Sequence, residues 1–254
     1  MTDVKKLQQA IIDTGETWIK NNAGSEAFFT SNKEAERLIW DDPLAFFLGV
    51  LYDQGIKAER AWELPYILKN KLGYLDVKSL AETDEDFLIK LFNTKPKLHR
   101  FPETMAKRTI KACKLILTKY NGSPENIWND SPRSGDIQSR FEEFNGIGQK
   151  KASMATNILV RDFGVDVKDR SGIDISYDIH IRRVFLRTGI VEKDDMKVIV
   201  EKARELNPEY PGTLDLGCWI IGRDFCHPNN PECSKCPISE HCPKLTDKGV
   251  DIKA

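Results

Sequence analysis

The chain of 254 residues lacks any apolar run long enough to cross a bilayer, and it lacks an apolar N-terminal stretch of the kind found in signal peptides. Its longest apolar run, PLAFFLGVLY, covers only residues 43–52, whereas a spanning helix needs about 20 residues. The opening segment MTDVKKLQQAIIDTGETW carries charges where a secretion signal needs apolar residues. We therefore expect a cytoplasmic protein that does not contact membranes, associated with the nucleoid if it is prokaryotic.

The chain also has no large net charge of either sign. The 38 basic and 39 acidic residues give a formal charge of −1, which does not by itself indicate a nucleic-acid-binding protein. The basic residues are unevenly distributed, however, because residues 90–120 contain nine of them and a single acid, Glu103. This segment predicts a locally positive surface, which suits a phosphate backbone but also fits a simple solvated face.

Long stretches of alternating polar and apolar residues are absent, so few strands are expected. Apolar residues recur at helical spacing instead, for example in residues 103–122 and 150–163. Residues 163–178 interrupt this pattern with glycine and aspartate and predict a loop. The sequence therefore predicts an all-α fold.

Four cysteines are concentrated in CHPNNPECSKCPISEHC, with the spacing C-x6-C-x2-C-x5-C. A reducing compartment argues against disulfides, and clustered thiols in a Pro-, Asn- and Ser-rich loop are typical of metal binding. The residues alone leave open whether zinc or a [4Fe–4S] cluster is bound, because both take four thiolates. The candidate ligands are Cys226, Cys233, Cys236 and Cys242.

The segment FNGIGQKKA at residues 144–152 lies between two amphipathic stretches. Glycine adopts positive φ at little cost, and Gly146 and Gly148 would let a phosphate approach the amides that open the next helix. Ile147 would point into the core. The pattern is typical of a helix-hairpin-helix that holds the DNA backbone without reading sequence, although a glycine helix cap followed by a turn fits the motif equally well.

This hairpin is followed in order by SYDIHIRRVFLRTGI, WIIGRDFC and the cysteine loop. In this order and spacing, the chain resembles endonuclease III and its relatives, the helix-hairpin-helix/Gly-Pro-Asp superfamily of DNA glycosylases, over roughly residues 35–245. Phe144-Asn145 replaces the usual Leu-Pro before the glycines, and the stretch before Asp178 is longer than usual. The resemblance implies two helical lobes with a DNA cleft between them: residues 35–162 form one, and residues 1–34 with 163–254 form the other.

The resemblance also implies that Lys150 is a nucleophile and that Asp178 is the essential carboxylate facing it. An amine that attacks C1′ expels the base and forms a Schiff base, which then permits β-elimination of the 3′ phosphate. We expect burial and the adjacent Lys151 to lower the pKa of Lys150 from about 10.4. Taken alone, Lys150 fits a phosphate-binding lysine in the first turn of a helix better than a nucleophile. Asp178 also fits a helix N-cap, and Asp174 is a lesser candidate for the carboxylate.

A base must leave the duplex to reach such a site, and the resemblance implies side chains that fill the gap. Gln54 stands where the family inserts a glutamine, and Arg100 or Phe101 stands where it has a second wedge. The predicted DNA-binding residues are thus Gln54, Arg100, Phe101, Gly146, Gly148 and Lys151. The resemblance also implies that the cysteine loop holds a [4Fe–4S] cluster.

We therefore expect a monomeric base excision repair enzyme that acts on double-stranded DNA containing a damaged, mispaired or abasic site. It would remove the base and act as an AP lyase. Two alternatives stay open. One is a monofunctional glycosylase for uracil, an alkylated base or a mispaired base, and the other is a non-catalytic iron–sulfur DNA-binding module.

Overall fold

The computed structural model describes residues 3–22 and 28–247. These residues form twelve α-helices and one 3-10 turn, with no strand, which confirms the predicted all-α fold. None of the described helices is long and apolar enough to cross a membrane. The helices are α1 Val4–Asn22, α2 Lys33–Asp41, α3 Pro43–Tyr52, α4 Ala58–Leu72, α5 Val77–Glu82, α6 Glu85–Asn93, α7 Pro102–Lys119, α8 Ser134–Glu142, α9 Gln149–Arg161, α10 Ile179–Arg187, α11 Met196–Leu206 and α12 Thr213–Asp224.

The first of two hydrophobic cores surrounds α3 and is built by α2 to α9. Helix α3 is apolar on every side, and every residue from Leu44 to Tyr52 is buried. Asp42 begins it by accepting hydrogen bonds from the backbone N–H groups of Leu44 and Ala45. Because α3 is held from all sides, the turn at its C-terminal end has a fixed position.

The second core joins α1, α10, α11 and α12 with the cysteine loop, residues 226–242. Helices α1 and α12 approach so closely that a Cβ at Gly217 would lie 2.0 Å from the carbonyl oxygen of Ile11. Leu7 and Ile11 of α1 belong to this core, whereas Phe29 belongs to the first. The domain bounds given above stay a prediction.

Residues 162–178 form no helix and connect the two cores, as the sequence predicted. The Asp174 carboxylate receives two hydrogen bonds from Arg204 of α11, at 2.7 and 2.8 Å. The Asn157 side chain on α9 donates to the carbonyl oxygen of Gly212 at 2.7 Å, next to the start of α12. These contacts fix the chain that leads into α10.

Candidate active site

Helices α8 and α9 are joined by the glycine hairpin, and its two glycines serve different purposes. Gly146 has a φ of +97°, which favours glycine, and a Cβ there would lie 2.6 Å from Nε of Arg108. Gly148 has a φ of −112°, so the expectation that both glycines need positive φ is wrong for this one. A Cβ at Gly148 would contact nothing within 4 Å, so this position is open to solvent. Ile147 is buried, as predicted.

Lys150 lies in the first turn of α9, and its ammonium group is held between two carboxylates. Its Nζ lies 3.0 Å from Oδ2 of Asp53 and 3.3 Å from Oδ2 of Asp178. The Lys150 side chain is 39% exposed, whereas those of Asp53 and Asp178 are 10% and 12% exposed. The Lys150 side chain is therefore partly exposed, whereas both carboxylates are largely buried.

Asp178 is the N-cap of α10, and its Oδ1 accepts a hydrogen bond from the backbone N–H of His180 at 2.8 Å. The cap leaves Oδ2 directed at Lys150. The structure thus brings together the two residues that the resemblance paired, and the cap fixes the carboxylate in place. His180 packs against α12, where a Cβ at Gly222 would lie 2.5 Å from that of His180.

Asp53 was missed by the sequence analysis. It follows the last residue of α3 and precedes Gln54, and 97 residues separate it from Lys150. The one available signal was its place directly after a fully apolar helix and directly before a candidate wedge residue.

The expected lowering of the Lys150 pKa is not found. Burial does lower it, but the charges and hydrogen bonds of Asp53 and Asp178 more than offset burial and raise the pKa above its ordinary value. Lys150 is therefore an ammonium ion at neutral pH. Chemistry at this nitrogen requires that a neighbouring group take its proton.

Lys151 has the opposite environment. Its side chain is only 6% exposed, and its Nζ donates to the carbonyl oxygen of Leu51 at 2.6 Å. Burial lowers its pKa to about 8. Because the Lys151 ammonium is buried beneath the hairpin, it does not fit the phosphate contact expected from the sequence.

Lys150, Asp53 and Asp178 all line a cavity of about 440 Å³ between the two cores. The Ser176 hydroxyl at this cavity is buried without a hydrogen-bond partner among the described residues. The Asp215 carboxylate accepts from the Ser176 backbone N–H at 2.7 Å, and burial raises the Asp215 pKa. The aromatic residues of the lining are Trp18, Phe28, Phe29, Trp62 and Trp219. Aromatic walls with a few polar groups suit a flat heterocyclic ring.

A second, more open depression of about 690 Å³ lies on the other side of Lys150 and Asp53 and runs along the hairpin. Gln54 and Gly148 line it. The Lys150 amine therefore faces both an outer groove and the inner cavity.

The two turns that carry the candidate wedge residues are neighbours. A Cβ at Gly55 would lie 2.9 Å from the Phe101 ring, which is 38% exposed. Arg108 on α7 donates to Oε1 of Gln54 at 2.6 Å and to Oδ1 of Asn145 at 3.1 Å. One guanidinium thus connects the Gln54 turn to the hairpin.

His99 fixes the loop that carries Arg100 and Phe101. Its Nδ1 accepts from the Phe101 backbone N–H at 2.9 Å, so its Nε2 carries the proton and donates to the carbonyl oxygen of Tyr52 at 3.0 Å. Burial lowers its pKa, which favours this neutral form. The loop is therefore anchored to the end of α3, beside Asp53.

The four loop cysteines line one small cavity together with Arg187 of α10. Arg187 donates to the carbonyl oxygens of His227 and Pro228 at 2.6 and 2.8 Å, and its Nη1 lies 3.7 Å from Sγ of Cys226. Within residues 3–22 and 28–247, no group of three or more His, Cys, Asp or Glu side chains is arranged to hold a metal ion. Cys113 in α7 and Cys218 in α12 are buried outside the loop.

Fold and site together define an all-helical protein with a hairpin, an amine held by carboxylates and a cavity beside it. Residues 48–209 match the family described as HhH-GPD superfamily base excision DNA repair protein. Because this match covers more than half of the chain, the chain belongs to that superfamily, and the predicted endonuclease III-like membership is confirmed.

Individual relatives agree with this assignment. Endonuclease III of Buchnera aphidicola subsp. Acyrthosiphon pisum (strain APS) is 28% identical over 141 residues, which are 55% of this chain and 57% of that protein. Endonuclease III of Thermotoga maritima is 25% identical over 138 residues, 54% of this chain and 55% of that protein. The chain thus spans about half the length of the curated relatives it matches. A solved structure of a trapped endonuclease III–DNA covalent intermediate, an estranged-adenine complex, covers 94% of this chain and 97% of its own, with a TM-score of 0.66 at 16% identity, which shows a shared fold.

Proposed function

We propose that this protein is a base excision repair DNA glycosylase that also acts as an AP lyase through Lys150. The observation that carries the proposal is the contact between Nζ of Lys150 and Oδ2 of Asp178, 3.3 Å apart, in the lining of a cavity of about 440 Å³. An amine and a carboxylate that line an aromatic cavity suit attack on the sugar of an everted nucleotide.

In this proposal the damaged or mispaired base enters the inner cavity and the sugar stays at its mouth. The Lys150 amine attacks C1′, the base leaves, and the resulting Schiff base permits β-elimination of the 3′ phosphate. The Asp178 carboxylate stabilises the positive charge that develops on the sugar as the base departs. Because Asp178 also caps α10, its oxygens are held in position before the substrate arrives.

Double-stranded DNA would lie along the outer groove. The amides at the start of α9 and the open position at Gly148 suit a phosphate, since a helix N-terminus attracts anions. Gln54 and the pair Arg100 and Phe101 are exposed on adjacent turns and are our candidates to fill the space left by the flipped nucleotide. Lys151 is left out of the proposed contacts because it is buried.

We also propose that the cysteine loop holds a [4Fe–4S] cluster. The chemistry of the donor set fits this group, because Cys226, Cys233, Cys236 and Cys242 all line one cavity and four thiolates bind one cluster. When bound, the cluster would supply a rigid cross-link of the loop. Arg187 of α10 already binds the loop backbone, so a rigid loop would also hold α10 and its cap Asp178 in place.

Reductive trapping with borohydride on a duplex that contains a single abasic site tests this function. Wild-type protein should form a covalent complex, because borohydride reduces a Schiff base to a stable amine. Lys150→Ala should abolish the complex, and Asp178→Asn should lower its yield by about 100-fold while keeping the helix cap, since Asn also caps helices.

Two matched controls separate chemistry from folding. Lys69→Ala removes an exposed lysine near the end of α4, and Asp195→Asn changes a capping aspartate of α11 that has no lysine partner among the described residues. Both should trap like wild type. A complex that survives Lys150→Ala undiminished removes the nucleophile role.

The raised pKa of Lys150 favours a second candidate, a monofunctional glycosylase in which Lys150 stays an ammonium ion. Such an enzyme would release a base from a lesion-containing duplex but nick the strand only after alkaline treatment. A set of duplexes, each with one lesion and assayed with and without alkali, distinguishes the two candidates and identifies the base removed.

A further inference from the structure

Asp53 is a carboxylate that the expected Lys150–Asp178 pair does not account for. Its Oδ2 lies 3.0 Å from Nζ of Lys150, closer than the 3.3 Å of Asp178, and its side chain is only 10% exposed. It also stands at both the inner cavity and the outer groove. A second acid therefore touches the atom that the proposed function makes the nucleophile.

The two carboxylates have different hydrogen-bond environments. Asp178 uses Oδ1 to accept the backbone N–H of His180 at the start of α10, so one of its two oxygens is already occupied. Among the described residues, the Asp53 carboxylate has Lys150 as its one hydrogen-bond partner. Asp53 is thus the carboxylate whose contact with Lys150 has no competing donor among the described residues, whereas Asp178 is shared between Lys150 and the helix cap.

We propose that Asp53 is the proton acceptor for Lys150, a catalytic residue beyond the Lys150–Asp178 pair. This inference rests on the lyase function proposed above. One N–H bond of the Lys150 ammonium breaks, and its proton moves to Oδ2 of Asp53. The electron pair left on Nζ then forms the bond to C1′, while the bond from C1′ to the base breaks and its electrons leave with the base.

The charges balance in this transfer. A lysine cation and an aspartate anion become a neutral amine and a neutral carboxylic acid, so the pair has no net charge before or after. The Asp178 carboxylate takes no proton in this step and lies beside the sugar, where the positive charge develops. In this proposal Asp53 removes the proton from Lys150, and Asp178 stabilises the charge on the sugar.

A purely electrostatic role for Asp53 makes the opposite prediction. Asp53 contributes to the raised pKa of Lys150, so a carboxylate that only held the ammonium in place would slow attack at neutral pH. Removing it would then accelerate the reaction. The direction of the change thus decides between the two roles.

Other charged or titratable groups surround the pair and stay unchanged in the test. They are Asp178 and Arg182 at the start of α10, Lys151 on α9, Arg108 on α7, His99 in the loop before α7 and Asp215 on α12.

The test measures single-turnover trapping by cyanoborohydride on a duplex with one abasic site, from about pH 6 to about pH 9, for wild type and Asp53→Asn. We expect the variant to trap about 100-fold more slowly at neutral pH, the loss typical of a missing general base. Its rate should rise with pH as hydroxide replaces the missing acceptor. Binding of a duplex with an unreactive tetrahydrofuran site should change by less than about threefold, because asparagine keeps the shape of the residue.

Controls and a rescue experiment keep the result interpretable. Glu82→Gln removes an exposed carboxylate at the end of α5 and should trap like wild type. Asp53→Ala should be slow as well, and added formate should restore part of its rate by supplying a carboxylate at the vacated position. If Asp53→Asn does not fold, the formate dependence of Asp53→Ala gives the same answer.

The outcomes separate this inference from the proposed function. If wild type traps, but Asp53→Asn and Asp53→Ala trap at an equal or higher rate and formate has no effect, the role of Asp53 alone is overturned. No trapping by wild type overturns the lyase function and this role together.

Discussion

At the scale of single residues, the two neighbouring lysines of the hairpin show how position decides protonation. Lys150 contacts two carboxylates and has a raised pKa, whereas Lys151 is buried against a backbone carbonyl and has a pKa of about 8. One residue of displacement along α9 turns one side chain to the cleft and the other to the first core. The sequence KK gave no indication of this difference.

The Lys151 environment makes a prediction about stability. Its pKa is about 8 in the folded protein and about 10.4 in an unfolded chain. Burying the charged lysine therefore lowers the free energy of unfolding below about pH 8. This cost is complete below about pH 8 and disappears as the pH rises through about 10.4. Lys151→Met should therefore raise the free energy of unfolding at pH 7 by about 1–2 kcal/mol, allowing for the lost hydrogen bond to Leu51.

Urea unfolding at about pH 7 and about pH 10 measures this effect, and the gain should shrink towards zero at the higher pH. Lys69→Met, on an exposed lysine, should leave the stability unchanged at both values. A gain of equal size at both pH values would show that packing rather than charge is responsible.

Motif order in the sequence indicated Lys150 and Asp178 because each lies at a fixed place in a local pattern. Asp53 has no such pattern, and its partner lies 97 residues away. A contact of that range depends on how α3 and α9 pack, which no single segment encodes. The same reason explains why the sequence did not reveal Arg108 as the link between Gln54 and Asn145.

At the scale of elements, the helices with a clear apolar stripe were predictable. Helix α7 ends just before Asn121-Gly122, a pair that is typical of a helix end. The short helices α5 and α6 were not singled out, because six and nine residues give too few turns for a clear period. Helix α4 contains an internal proline, Pro65, which obscures its pattern. Aspartate caps, Asp76 and Asp84, begin α5 and α6, and both helices pack against α7.

The hairpin between α8 and α9 offers a prediction that separates folding from binding. Gly148→Ala should leave the stability within about 0.5 kcal/mol, because its φ of −112° suits alanine and the new Cβ meets nothing within 4 Å. It should weaken binding to an abasic-site duplex by about tenfold if a phosphate approaches the backbone there, through a lost hydrogen bond of about 1.4 kcal/mol.

Thermal unfolding and DNA titration check this prediction, with Gly164→Ala as the comparison. Gly164 also has open space around it but a φ of +68°, so alanine there should lower the stability and leave DNA binding unchanged. Unaltered binding by Gly148→Ala would argue against a phosphate at this turn.

At the scale of the whole molecule, the proposed active site exists only where the two cores meet. Lys150 lies in α9 and Asp53 directly follows α3, both in the first core, and Asp178 caps a helix of the second. The cavity takes its walls from both cores. A substitution that destabilises either core should therefore move Lys150 and Asp178 apart.

The cysteine loop gives the last prediction, because it is connected to Asp178 through a single helix. Arg183 and Arg187 of α10 donate to the backbone of the loop and of the end of α12, including the carbonyl oxygens of Gly222 and His227. If a [4Fe–4S] cluster cross-links this loop, Cys233→Ser should remove the broad visible absorption of the cluster, lower the thermal stability of the second core and reduce trapping by at least about tenfold. Cys113→Ala, at a buried cysteine outside the loop, should keep the visible absorption and the trapping activity. Iron and sulfide analysis of both variants identifies the bound group. Full trapping by an iron-free Cys233→Ser protein would show that the loop does not affect the active site.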